Sequence, residues 1–306
     1  MQHPLKIGIS GATGFIGGHL VGHLKAAGHQ PVLFVRDSTR VRNSFADSKV
    51  VIWDVTKGPP DFLSLEQLDG FVHLAGAPIA ARWTRTRKKM IRDSRVLGTR
   101  YLVEAMRRCD NPPRVLICGS GIDYYGNQGD EILDESSPAG TGFLSEVCVE
   151  WEREAGKASE LGVRVVCVRT GLVLSTEGGA LVPMLIPFRL GLGGVLGTGE
   201  QYISWIHIRD HLRLLAFLLT SEGISGPVNA TAPHPVTNRD FTKSLGNALG
   251  RPTFMKTPAL LMRLLLGEMG DTLLLNGRRV VPAKALESGY RFEFETLKDA
   301  LDNLFK

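Results

Sequence analysis

The chain has 306 residues, 43 % hydrophobic and 22 % charged, close to the globular average, which excludes wholesale disorder. Its 36 Lys and Arg against 31 Asp and Glu give +5, too dilute over this length to imply nucleic acid. No run of about 20 apolar residues offers a membrane span, and Cys109, Cys118, Cys148 and Cys167 are isolated, without metal spacing. The N-terminus opens straight into a strand pattern with no signal peptide, so a cytoplasmic protein is expected.

In chain order the sequence predicts strands over Lys6–Ser10, Gln30–Val35, Lys49–Trp53, Gly70–Leu74, Arg114–Gly119 and Arg164–Arg169. Between them helical spacing covers Gly14–Ala27, Arg85–Cys109 and Phe143–Leu161. Near-continuous apolar strands separated by helices predict a parallel sheet covered on both faces. Past residue 170 a Gly-rich stretch leads into YISWIHIRDHLRLLAFLLT, a strand and then an apolar-faced helix, and Gly226–Ala230 offers one more strand. The Leu-rich run Leu260–Leu275, interrupted by Arg263, Glu268 and Asp271, reads as core or subunit contact. The expected fold class is α/β: a Rossmann-type doubly wound parallel sheet over residues 1–175 and 203–231, and a smaller, discontinuous C-terminal α+β substrate domain over 176–202 and 232–306.

The segment Gly11-Ala12-Thr13-Gly14-Phe15-Ile16-Gly17 follows the first strand and opens the first helix. Gly11 permits the tight turn, Gly14 lets backbone approach a pyrophosphate, and Gly17 allows close helix–strand packing. The helix N-terminus then offers free N–H groups to the anion. At the end of the second strand Arg36, followed by Arg40 and Arg42, suits a 2′-phosphate, so NADP(H) is the expected cofactor. The competing reading makes Asp37 the ribose ligand of NAD. Asp54 stands where adenine would lie, and Leu74, Ala75 and Gly76 let the chain pass close to the cofactor. Val173 should run past the nicotinamide, while His73 reads as a buried strand-end histidine.

With these residues in place, the chain resembles an extended or atypical short-chain dehydrogenase/reductase. More narrowly, GATGFIGGHL, HLAGAPIAARW, DYYGNQGD, PFRLGLGGVLGTGEQYISWIHIRD and RRVVPAKALESGYRF resemble the "epimerase family proteins", some of which carry the label of cell-division inhibitor. The resemblance covers essentially the whole chain. It implies an NADP-binding domain with an appended substrate domain, and no settled substrate.

It also implies a Ser or Thr after the fifth strand and Tyr-x-x-x-Lys on the next helix, whose hydroxyl moves the proton that accompanies hydride transfer. This chain departs from that pattern. Gly121 holds the Ser position, and the helix offers Phe143 with Val147, or one frame later Leu144 with Cys148. Ser120 and Tyr125 are the candidate catalytic substitutes, with Tyr124 and Glu146 behind them. Arg95 stands where extended members carry an Asn, and is expected to contact the cofactor.

Residues 82–95 carry seven bases and one acid and read as a solvated helix face. Arg82 and Trp83 at the cleft mouth, and His207 on the far side, are candidate substrate residues. Asp210 is expected to cap the next helix, and Arg278, Arg279 and Lys284 form a second basic cluster. The expected function is an NADP(H)-dependent oxidoreductase or nucleotide-sugar-epimerase-like enzyme on a small polar substrate. The alternative is a non-catalytic NADPH-binding regulator. The chain is expected to be a monomer or homodimer that binds no nucleic acid, membrane or metal.

Overall fold

β1 (Lys6–Ser10), β2 (Gln30–Val35) and β3 (Lys49–Ile52) are short apolar runs, and β4 (Gly70–His73) and β5 (Val115–Gly121) continue the pattern. In this computed structural model, which describes residues 3–41 and 45–306, they join one parallel sheet. β6 (Ile132–Leu133) lies outside it, while β7 (Arg164–Thr170) and the strand Gly226–Ala230 complete it. The order is Gly226–Ala230, β7, β5, β4, β1, β2, β3, with all pairs parallel. The order in which strands are added reverses between β1 and β4, the crevice where open α/β sheets bind ligands.

Helices cover both faces. α1 (Phe15–Ala26) and α5 (Ile208–Thr220) bury Leu20, Leu24, Leu214 and Leu215 on one side. α2 (Arg85–Met106) and α3 (Phe143–Gly156) bury Leu102, Met106, Trp151 and Ala155 on the other. Each fully buried Leu contributes about 1.5–3 kcal/mol. A further core joins α4 (Leu181–Arg189), α6 (Asn238–Leu249) and the last helix, Leu297–Phe305, through Phe188, Phe241, Leu245 and Leu301. α7 (Ala259–Leu266) buries no residue. Short pairs stitch late chain to early chain: β6 with Arg279–Val280, and Leu172–Leu174 with Trp205–His207.

Several predicted boundaries move, most by a single residue, and three shifts are instructive. β5 runs past Gly119 because Ser120 and Gly121 still pair with Arg169 and Thr170. α2 stops at Met106, short of Cys109. The helix predicted over Phe143–Leu161 breaks at Gly156 into a 3₁₀ turn, Lys157–Leu161, closed by Gly162 at φ +77°. No helix of the described residues is long and apolar enough to cross a membrane, and no metal-holding cluster occurs among them.

Candidate functional site

The loop after β1 is built by its glycines. Gly11 takes φ +74°, and the Gly14 N–H donates to its carbonyl at 2.9 Å. A β-carbon on Gly17 would lie 2.2 Å from that same carbonyl oxygen, and one on Gly11 2.9 Å from the Leu74 carbonyl. No side chain caps α1, so its first N–H groups point at an open turn. Thr13 is exposed there, and Ile16 is half-buried. The Phe15 ring packs under Gly178 and Gly179, where a β-carbon would lie 2.5 and 2.9 Å from it.

At the end of β2, Arg36 and Arg40 are exposed. One oxygen of the Asp37 carboxylate, Oδ1, accepts from Thr39 N at 2.9 Å and Thr39 Oγ1 at 2.7 Å, capping the 3₁₀ turn Ser38–Arg40. The Thr39 hydroxyl bond holds its pKa below the usual range. Arg42 lies outside the described residues. Asp54 Oδ1 likewise accepts from Thr56 N and Oγ1, at 3.0 and 2.8 Å.

Under the loop after β4, Ser10 Oγ lies 2.6 Å from His73 Nδ1 and accepts from Ala75 N at 3.3 Å. Burial pushes the His73 pKa down to about 3, so the ring is neutral and acts as a strut for Leu74-Ala75-Gly76. A β-carbon on Gly76 would sit 3.1 Å from the Arg95 guanidinium carbon. Arg95 donates to the Ala77 and Ile91 carbonyls at 3.0 and 3.1 Å and lies 5.3 Å from the Trp151 ring centroid. It has no carboxylate at ion-pair distance among the described residues.

The candidate catalytic hydroxyls are not free. Ser120 Oγ donates to Glu152 at 2.7 Å, and Arg169 grips the same carboxylate with two bonds of 2.9 and 2.8 Å. Arg169 also donates to the Tyr125 hydroxyl at 2.9 Å, which donates to Asn229 Oδ1 at 2.7 Å. Tyr125 is fully buried, and burial pushes its pKa up to about 12. Through these bonds Ser120 and Tyr125 tie β5, α3, β7 and Gly226–Ala230 together.

His207 is engaged in the same way. It is 1 % exposed, accepts from Arg209 N at 3.2 Å as the cap of α5, and stacks on Phe294 with centroids 4.0 Å apart. Burial lowers its pKa to about 4, leaving it neutral. Asp210 is therefore no cap: fully buried, it accepts from Glu293 N and Phe294 N at 2.8 and 2.9 Å, anchoring the C-terminal segment. Val173 is buried within Leu172–Leu174.

At the start of α3 the side chains are mostly apolar. Phe143 is half-buried and meets Trp83 edge-on, with centroids 5.2 Å apart, and Val147 is buried. Glu146 is exposed, as a solvated helix residue should be. Arg82 is exposed without an ion-pair partner among the described residues. Much of the basic run is neutralised locally: Lys89 by Asp93, Arg92 by Glu150, Lys88 by Glu268.

Sequence reasoning missed Asp123. Its Oδ2 would lie 3.4 Å from a β-carbon on Gly121, so a carboxylate borders the place of the absent serine. Arg278 Nη2 lies 2.9 Å from Asp123 Oδ1, an ion pair whose angles do not make a hydrogen bond. The available signal was that Asp123 is the only acid in VLICGSGIDYYG.

Residues 7–230 match the NAD dependent epimerase/dehydratase family, and residues 257–304 match a domain of unknown function, DUF1731. An epimerase family protein of Mycobacterium bovis, Mb2239, is 40 % identical over 296 residues, 96 % of each chain. The Bos taurus epimerase family protein SDR39U1 is 37 % identical over 97 % of this chain and 98 % of its own. The crystal structure of human epimerase family protein SDR39U1 (isoform 2) with NADPH has a TM-score of 0.86 at 34 % identity, covering 98 % of this chain and 99 % of that one. The Thermus thermophilus UDP-glucose 4-epimerase in complex with NAD shares the fold alone, at 16 % identity and TM-score 0.77, over 98 % of this chain and 97 % of its own.

Proposed function

The chain belongs to the NAD dependent epimerase/dehydratase family, and from that premise we propose that it is an NADP(H)-dependent oxidoreductase or epimerase-like enzyme acting on a small polar substrate. One observation carries the reading: α1 opens, uncapped, onto a glycine turn packed so close to the helix that a β-carbon at Gly17 would lie 2.2 Å from the Gly11 carbonyl oxygen. That cradle fits a pyrophosphate, with Gly11, Thr13, Gly14 and Gly17 around it. Arg36 and Arg40 fit a 2′-phosphate. Arg95 supports the loop at Gly76, where the nicotinamide ribose would pass. The bound nicotinamide supplies or accepts hydride; the chain's own residues orient the partner molecule and exclude water. In this scheme residues 1–175 and 203–231 hold the cofactor, and 176–202 and 232–306 close on the substrate.

The test is turnover of bound NADPH across a panel of carbonyl compounds. Oxidation of NADPH above the rate in buffer by at least one compound supports the enzyme reading. A second reading, a non-catalytic NADPH-binding protein, is favoured by one observation: Ser120 and Tyr125 are both tied up. Tight NADPH binding with no turnover across the panel would select it.

A further inference from the structure

Lys88 stands in the first turn of α2, which begins after its cap Thr84 and has no acid in that turn. Arg85, Arg87 and Lys88 there oppose the helix dipole, whose positive end lies at the same place. Such an arrangement is unfavourable unless an anion sits against it. The anion present is the Glu268 carboxylate, whose oxygens lie 2.7 and 2.5 Å from Lys88 Nζ although 180 residues separate the two. The ammonium also lies 4.9 Å from the Phe143 ring centroid and 5.9 Å from that of Trp83. A cation flanked by two aromatic faces and a helix N-terminus is therefore already holding a carboxylate, one borrowed from the chain itself.

Glu268 holds this position loosely. The pair is solvent-accessible, with side chains 31 % and 49 % exposed, a setting in which ion pairs are weak. It follows Gly267, at φ +61°, and α7, which buries no residue.

We propose that Lys88, between Trp83 and Phe143, is the anion-binding residue of the substrate cleft, and that Glu268 occupies it until a substrate's phosphate or carboxylate group displaces it. This rests on the proposed function and on the frame that sets Phe143 at the Tyr position of Tyr-x-x-x-Lys. Displacement frees the α7 segment from its tie to α2, coupling substrate entry to release of that segment.

The experiment titrates inorganic phosphate and, separately, acetate into the full-length protein, with and without saturating NADPH, chloride holding ionic strength constant. Trp83 emission is the readout, and Trp83→Phe is the blank; Trp53, Trp151 and Trp205 are buried. Glu268→Gln removes the competing carboxylate and should tighten the responding anion about fivefold, the scale of an exposed ion pair. Lys88→Met should abolish the response, and Lys88→Arg should keep it. Response to phosphate alone, or to acetate alone, assigns the group. No response to either anion, no tightening in Glu268→Gln, or a full response in Lys88→Met would overturn the proposal. NADPH binding, followed by nicotinamide emission, judges the cofactor reading separately: were it absent, the titration without NADPH would still decide the role of Lys88.

Discussion

Along the carboxyl edge of the sheet, the ends of β1 and β2 leave the first α1 N–H groups and two arginines open, whereas the ends of β5 and β7 close their polar side chains on one another. In the first region α1 is uncapped and Arg36 and Arg40 are exposed. In the second, Ser120, Glu152, Arg169, Tyr125 and Asn229 form one buried chain of bonds. Open donors serve a ligand, and closed ones serve the fold. The contrast teaches that polar groups on one sheet edge can differ sharply in how far the fold itself engages them.

The hardest way to break the comparison is Gly17→Val. Its β-carbon would meet the Gly11 carbonyl at 2.2 Å, so the turn must move. NADPH affinity by calorimetry should fall by about a hundredfold or more, on the scale of two lost charge-assisted bonds. Undiminished affinity in a folded variant would show that the loop serves something else.

On the closed side, Arg169→Met should lower stability by about 3–5 kcal/mol, because it strands Glu152 without its partner. Urea unfolding measures this, and a change below about 1 kcal/mol would mean that the network is solvated.

Acid should act on buried rings. Burial pushes His207 and His211 down to about 4 from 6.5. Their folded pKa values are depressed, so their contribution is fully present above pH 6.5 and is lost as pH falls toward 4. Each ring adds a slope of up to about 1.4 kcal/mol per pH unit in that window. Asp210, its carboxyl raised by burial, works in the opposite sense. Urea midpoints that stay flat between pH 6.5 and 5 would contradict the buried, neutral state of these histidines.

Arg36→Ala sharpens the open side. Loss of one charge-assisted contact, about 1.5–3 kcal/mol, should weaken NADPH roughly tenfold or more and leave NADH nearly unchanged. Equal losses for both cofactors would remove the 2′-phosphate assignment.

The smallest effect tests the same contrast most directly. Tyr125→Phe should cost about 1 kcal/mol or somewhat more of stability, since Asn229 and Arg169 each lose a partner. Any turnover that the protein shows should survive. A loss of turnover with stability unchanged would return Tyr125 to the catalytic list.

The central sheet was largely legible because its signals are local. Lys6–Ser10, Gln30–Val35 and Gly226–Ala230 form strands with the predicted bounds, each a short apolar run beside turn residues. The glycine loop was legible for the same reason. What escaped depends on partners far apart in sequence. Nothing near Ser120 announces Glu152, and nothing near Lys88 announces Glu268. Asp210 has the position of a helix cap, but Glu293 and Phe294, more than 80 residues later, claim its carboxylate. A hydroxyl's availability is decided by such distant claims, so the sequence names candidates for chemistry without saying which are already engaged.

The buried chain of bonds also sets an order of events during synthesis. Glu152 and Arg169 leave the ribosome close together, so this cation can be neutralised early, while Asn229 and the Val281 carbonyl that its amide meets are still to be made. The nascent sheet therefore waits with its last edge strand missing and the Tyr125 hydroxyl without its acceptor. Translation must run past residue 281 before the final bond of the chain closes.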